Sequence, residues 1–254
     1  MEQSNIKPIH FITYGNHVFE KSKLRLVNQA KHFYPFKSIS ACGPADLPRD
    51  FTEKFKNILD MKRIAGYGIW RPIILKQKLE QIDENEFLIY LDAGCNINNN
   101  GIKRFNEYID LLDKSEYGMI SFQMSGNKNP KDFQKEKWWT TKEIFNYFNV
   151  IPDSNIGNSA QYLDGILIMK KNNHLMILID LWIKSVYDNP IMFTDYYNNS
   201  NQHPDFKENR HEQSVFSLIR KINGSLILHD ETWFIPFGNE DSLKYPFWAS
   251  RTKN

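Results

Sequence analysis

The chain has little cysteine: two residues, Cys42 and Cys95, in 254. Two thiols cannot build a disulfide framework or a four-cysteine zinc site. A single disulfide remains open, and two reduced thiols are the favoured reading. Charge of one sign is also missing. Lys and Arg number 32 against 30 Asp and Glu, a net +2, so no basic excess drives sequence-independent nucleic-acid binding. Long apolar runs are absent too. Ile166–Met169 is strand-sized and Leu175–Ile183 is broken by Asp180, both far from the roughly 18 apolar residues of a membrane span. The first residues, MEQSNIKPIHF, contain no apolar core of a signal peptide. The expectation is a cytoplasmic protein with at most peripheral membrane association. No Gly-x-Gly-x-x-Gly follows the first apolar run, which disfavours a hydride-transfer enzyme. The sequons at Asn198 and Asn223 read as chance in such a chain.

What is present is a globular composition, 41% hydrophobic and 24% charged, rich in aromatics at 14% with six Trp. Apolar runs at Ile9–Tyr14, Ser38–Ala41, Phe87–Leu91, Tyr117–Phe122, Tyr162–Met169 and Ser225–Leu228 read as strands. Helical spacing appears over Phe19–Phe33, Leu47–Leu59, Trp70–Ile82, Gly101–Leu112, Trp138–Phe148, Leu175–Val186 and Glu208–Ile222. Strands alternating with helices predict an α/β domain with a mostly parallel central sheet flanked by helices. No repeat or linker divides the chain, so one domain over 1–254 is expected. Ligands in such sheets bind beyond the carboxyl ends of the strands.

Five short segments carry candidate chemistry. Asp92-Ala93-Gly94 closes the most apolar strand, and a carboxylate followed by small residues lets a ligand or a hard cation approach; a plain turn explains it equally well. In Asp164-Gly165-Ile166 a glycine permits close approach of backbone or ligand. Arg210-His211-Glu212-Gln213-Ser214 offers a carboxylate, an amide and an imidazole at a helix start, where acidic groups also suit the dipole. His229 follows a late strand. Gly66-Tyr67-Gly68-Ile69-Trp70-Arg71-Pro72 is no phosphate loop, since no Lys-Ser/Thr follows, but Arg71 at a helix start suits a diphosphate.

In that order the segments resemble the nucleotide-sugar glycosyltransferases of the GT-A fold. The retaining group that includes glycogenin-like and lipopolysaccharide galactosyltransferase-like enzymes (family 8) is the nearest pattern, along with related bacterial and viral glycosyltransferases. The resemblance spans about residues 8 to 235 and rests on the order and spacing of short motifs. It implies a single GT-A, Rossmann-like domain with a nucleotide-binding half over about 1–125 and an acceptor-side half over about 126–254. It implies transfer of a sugar from a nucleotide-sugar donor, UDP-linked by preference, to a glycan or lipid-linked hydroxyl acceptor. The retaining course is slightly favoured over the inverting one. Thr13, Tyr14 and Gly15 would hold the nucleoside, and Arg71, Asp92, Ala93 and Gly94 the diphosphate. Asp92 matches the first residue of the metal-binding Asp-x-Asp signature, and His229 the late metal-binding histidine, which implies Mn2+ or Mg2+. Gly94 departs from the last Asp of that signature. Glu212, Gln213 and Asp164 would be the catalytic candidates, with Ser214 departing from the pattern.

The physical chemistry agrees. A diphosphate leaving group needs a cation, and its departure leaves an oxocarbenium-like centre that a carboxylate or amide stabilises. Lys62 and Arg63 are further cations able to assist. Trp138, Trp139 and Trp233 are candidate sugar platforms, with core packing expected for at least half of the six Trp. The competing reading is a carbohydrate-binding or scaffold protein that keeps the fold and has little or no catalysis, a reading that Gly94 favours. A nucleotidyltransferase is disfavoured, because Gly15-Asn16-His17 is not the basic, glycine-rich loop such an enzyme places there.

Overall fold

The computed structural model describes residues 7–124 and 134–253. The first six residues and the division expected near residue 125 lie outside them. In chain order the strands are β1 (Ile9–Tyr14), β2 (Ser38–Cys42), β3 (Phe87–Leu91), β4 (Asn96–Ile97), β5 (Met119–Gln123), β6 (Ile166–Lys170), β7 (Leu226–His229) and β8 (Phe247–Trp248). Six of them form one sheet in the order β2-β1-β3-β6-β5-β7. β1 runs parallel to β2 and β3, and β5 parallel to β7; β6 is antiparallel to both its neighbours, β3 and β5. β6 alone is reversed, so the mostly parallel sheet expected from the alternation is present.

The sheet is covered on both faces, and β3 shows why. All of Phe87-Leu88-Ile89-Tyr90-Leu91 is buried, as a strand with helices above and below requires. Successive side chains alternate between faces. Leu88 and Tyr90 join Ile12, Leu167 and Met169 in a core with Ile73, Trp182 and Phe216. These come from helices Arg71–Glu80, Asn173–Asp188 and Glu212–Asn223. Phe87, Ile89 and Leu91 face the other way, into a core with Leu26 and Phe105, from helices Glu20–Phe33 and Ile102–Asp113.

Several elements are shorter than their periodicity suggests, each for a local reason. The stretch 47–59 divides at Phe55 (φ −106°, ψ 17°) into Arg49–Lys54 and Lys56–Leu59. The stretch 138–148 divides at Thr140, and Thr141 caps the second piece by accepting from the Ile144 amide at 3.3 Å. The helix expected from Glu208 begins at Glu212, because His211 has φ 56°. The strand expected from Tyr162 begins at Ile166. The aromatic segment Tyr245-Pro246-Phe247-Trp248 carries no strand or helix period. It pairs as β8 with β4, Trp248 opposite Asn96.

Register fixes the site. The last residues of β1, β3, β5 and β7 and the first of β6 share one edge: Leu91 faces Ile166, and Gln123 faces His229. Gly15, Asp92, Asp164 and His229 therefore emerge on the same side of the sheet.

Candidate active site

A cavity of about 1610 Å³ opens along that edge. Its floor is organised by Arg71. This side chain starts its helix from the body of the protein, is 1% exposed, and spends its whole fork on acidic partners. One terminal nitrogen donates to Asp92 Oδ1 at 2.8 Å. The other donates to Asp164 Oδ2 at 2.5 Å and to Glu212 Oε1 at 3.1 Å. Nε donates to the Tyr90 hydroxyl at 3.3 Å, and that hydroxyl donates to Asp92 Oδ1 at 2.5 Å. The planar guanidinium suits this multiple role as an ammonium would not. Arg71, expected to face a diphosphate, is instead turned onto the carboxylates that the sequence had singled out separately.

Three carboxyl groups around one cation leave negative charge in excess, and burial raises its cost. Burial pushes the Asp164 carboxyl up to about 6, with Arg71 opposing and Asp92 adding to the rise. Glu212 is raised well above its ordinary value, first by burial and then by the charge of Asp164. Its Oε2 is buried with no hydrogen-bond partner among the described residues. Both positions depend on glycine. A Cβ on Gly68, which has φ +73°, would lie 2.5 Å from Glu212 Cδ; one on Gly165 would lie 2.9 Å from Asp92 Oδ2. The close approach read into Asp164-Gly165 is thus by the Asp92 side chain. Gly68 ends a run of positive φ, 48°, 51°, 91°, 56° and 73° over residues 64 to 68. An isoleucine and an alanine held this way carry backbone strain, and both line the cavity.

Gln213 is oriented from behind. Gln161 gives its Nε2 to Glu136, Thr140 and Ser214, so its Oε1 accepts from Gln213 Nε2 at 2.6 Å. Tyr14 and Gly15 line the cavity at the β1 end, with Tyr14 stacked on Trp70 at 3.6 Å between ring centres. Thr13 lies fully buried beneath them rather than on the wall. Ala93 and Gly94 line the cavity as expected, and Arg25 ties their turn to the body through the Ala93 and Cys95 carbonyls at 3.0 and 2.9 Å.

His229 lines the same cavity from the end of β7 and is exposed. The donor set for the implied cation is poor. Asp92 Oδ1 already accepts from Arg71 and Tyr90, Gly94 supplies no ligand, and among the described residues no three His, Cys, Asp or Glu side chains come together as a metal requires. Among the described residues the expected centre is not formed. Both cysteines are free thiols. Among the six Trp, Trp70 and Trp182 are core residues, while Trp233 is 43% exposed at the cavity. Trp138 and Trp139 are half-buried, under Lys207 at 4.0 Å and Arg210 at 3.9 Å respectively.

The sequence segments contain Gly68 and Arg210 without marking a role for either, and Tyr90 and Arg251 fall outside them. Tyr90 had a readable signal: two residues before Asp92 in a strand, it faces the same way. Arg251 sits in an irregular segment with no periodicity to mark it.

No protein-family model matches the chain, and no curated protein matches it in sequence. Among solved structures it is similar to a glycosyltransferase involved in glycosylation of the major capsid of PBCV-1, at 12% identity and a TM-score of 0.50. That match covers 95% of this chain and 91% of that one. It is also similar to mouse xyloside xylosyltransferase 1, at 10% identity and a TM-score of 0.46 over 89% of this chain and 87% of that one. A third is the galactosyltransferase LgtC in complex with donor and acceptor sugar analogs, at 8% identity and a TM-score of 0.39 over 93% and 83%. With the sheet order and the cavity at its carboxyl edge, the first match identifies the architecture: the chain has the GT-A fold of glycosyltransferases.

Proposed function

We propose that the protein is a glycosyltransferase that moves a sugar from a nucleotide-sugar donor to a hydroxyl acceptor. The observation that carries this reading is the Asp92, Asp164 and Glu212 cluster around buried Arg71, at the floor of a cavity large enough for such a donor. Two carboxylates, Asp164 and Glu212, buried together beside the half-buried Asp92 are the mark of a site built for chemistry. The nucleoside would lie at the β1 end, against Tyr14, Gly15 and Phe19. The sugar would lie over the carboxylates. As the bond to the diphosphate breaks, positive charge grows at the anomeric carbon, and anionic Asp92 and Asp164 stabilise it electrostatically.

A retaining course is supported by Gln213. Its amide nitrogen is committed to Gln161, which leaves the carbonyl oxygen to face an electron-poor carbon. An inverting course would use Asp164, held up to about 6, as the base on the acceptor hydroxyl. The rim offers an apolar shelf for an acceptor glycan or lipid-linked sugar: Trp233 and Ile235 are exposed, and Phe234 stacks on Tyr245. No helix among the described residues is long and apolar enough to cross a membrane.

The test is release of free nucleotide from UDP-, GDP-, CMP- and dTDP-linked sugars, with Glu212→Gln beside the wild type. Turnover of one donor class, reduced about 100-fold or more in the variant with its fold intact, is the expected result. Equal turnover in both proteins would remove Glu212 from the chemistry. Nucleotide binding without turnover of any donor would favour the carbohydrate-binding or scaffold reading, which Gly94 already makes specific.

A further inference from the structure

A UDP-, GDP- or dTDP-linked sugar carries a diphosphate, and the floor of this cavity repels it. Cations line the same space nonetheless: Arg63, Arg210, Arg251 and Lys253. Arg63 is occupied, paired with Asp195 at 3.4 Å and Glu208 at 3.2 Å. Arg210 and Arg251 make no ion pair among the described residues, and each guanidinium rests against an aromatic ring.

Arg210 lies with its guanidinium carbon 3.9 Å from the centre of the Trp139 ring, and its Nε is buried without a partner among the described residues. Its backbone amide donates to the Trp139 carbonyl at 3.0 Å and to Ser214 Oγ at 3.2 Å. Arg251 is fixed through its neighbours. The Thr252 amide donates to the Gly94 carbonyl at 2.9 Å, and Asn96 Nδ2 donates to Ser250 Oγ and to Thr252 Oγ1, each at 2.6 Å. A Cβ on Gly94 would lie 3.4 Å from Arg251 Cα. Segment 250–252 thus lies on the turn that follows Asp92. Arg251 itself has φ 53° and an exposed side chain whose guanidinium stands 5.6 Å from the Trp233 ring centre.

We propose that Arg251 and Arg210 form a diphosphate-binding site, so that side-chain cations carried in part by segment 250–252 take the charge for which the residues around Asp92 supply no metal centre. The inference rests on the nucleotide-sugar reading and goes beyond it by naming the anion-holding groups. Two guanidinium forks on rigid bases suit phosphate oxygens, which accept paired N–H donors. Charge supports the geometry. Arg210 is lowered first by burial and next by the repulsion of Arg251, with Arg63 adding to it and Glu208 and Asp164 opposing. A bound anion relieves that repulsion. It would share the cavity with Asp92 and Asp164, where a leaving diphosphate must part from a developing cation.

The experiment is calorimetric titration of inorganic diphosphate, and separately of UDP, GDP, CMP and dTDP, with EDTA and again with Mn2+. The proteins are the wild type, Arg251→Ala, Arg210→Gln and Asp92→Asn. Each variant is first checked by thermal unfolding; the exposed Arg251 side chain makes its replacement the cleanest. Inorganic diphosphate and one nucleotide are expected to bind in EDTA, at least tenfold more weakly in Arg251→Ala and Arg210→Gln, and no more weakly in Asp92→Asn. Nucleotide binding that requires Mn2+, disappears in Asp92→Asn and is unchanged in Arg251→Ala would overturn the proposal while leaving the glycosyltransferase reading standing. No binding of any nucleotide under either condition would overturn both.

Discussion

Replacing Arg71 by Met tests the organisation of the site most severely. The substitution preserves much of the side-chain volume and removes the one cation shared by Asp92, Asp164 and Glu212. Taking one partner from a buried ionic cluster costs about 3–5 kcal/mol, because the remaining charges stay buried and unpaired. At roughly 2–4 °C per kcal/mol for a chain of this size, the melting temperature should fall by roughly 6–20 °C near neutral pH. The deficit should depend on pH in a defined direction. Asp164 already has a folded value near 6 against an ordinary 3.8, and Glu212 is raised further. A carboxyl raised in the folded state binds its proton more tightly there than in the unfolded chain. Stability therefore falls as pH rises through the interval between the two values. Without Arg71 that interval extends upward. Calorimetric melts of both proteins from pH 5 to pH 8 should show a difference that is small at pH 5 and large at pH 8. A difference independent of pH, or a variant as stable as the wild type at pH 8, would refute the shared-cation account.

Three other perturbations follow from single contacts. Gly68→Ala places a Cβ 2.5 Å from Glu212 Cδ at a residue with φ +73°; it should cost about 1–3 kcal/mol in denaturant melts and lower turnover along with stability. Gly101→Ala would bring a Cβ within 2.3 Å of the Pro246 nitrogen, so segment 245–248 should lose its protection from amide exchange while β1 and β3 keep theirs. Glu231→Gln removes the carboxylate that accepts from Arg104 Nε and one terminal nitrogen, each at 2.8 Å, and from the Tyr108 hydroxyl at 2.5 Å; a loss of about 1–3 kcal/mol by urea unfolding is expected.

The sequence was most legible where physics is local. β1 and β3 have the bounds that their apolar runs imply: β3 is apolar throughout, as a strand covered on both faces requires, and β1 is buried throughout with His10 and Thr13 inside its run. Asp92, Asp164, Glu212, Gln213 and His229 do line one cavity, because each stands next to a strand or helix end and those ends share an edge. What could not be read is long-range. The partners of Arg71 are 93 and 141 positions away at Asp164 and Glu212, so a helix-start arginine looked like a diphosphate ligand. The reversal of β6 has no periodicity, since the apolar run Ile166–Met169 reads alike in either direction. The β4–β8 pair joins two-residue strands, too short for any pattern. Gly94 looked like a missing ligand; in the fold it is the seat of segment 250–252.

The central claim is that the cavity takes a nucleotide-sugar donor and that the carboxylate cluster serves its sugar. The most direct measurement is transfer itself: wild type with the donor class that gives nucleotide release, a mixed glycan acceptor pool, and mass-spectrometric detection of an acceptor heavier by one sugar residue. Asp164→Asn and Gln213→Ala run alongside. The account predicts product with the wild type and a large loss in both variants while nucleotide binding persists. Product formed equally by all three proteins, or none from any donor class by a folded wild type that binds nucleotide, would contradict it.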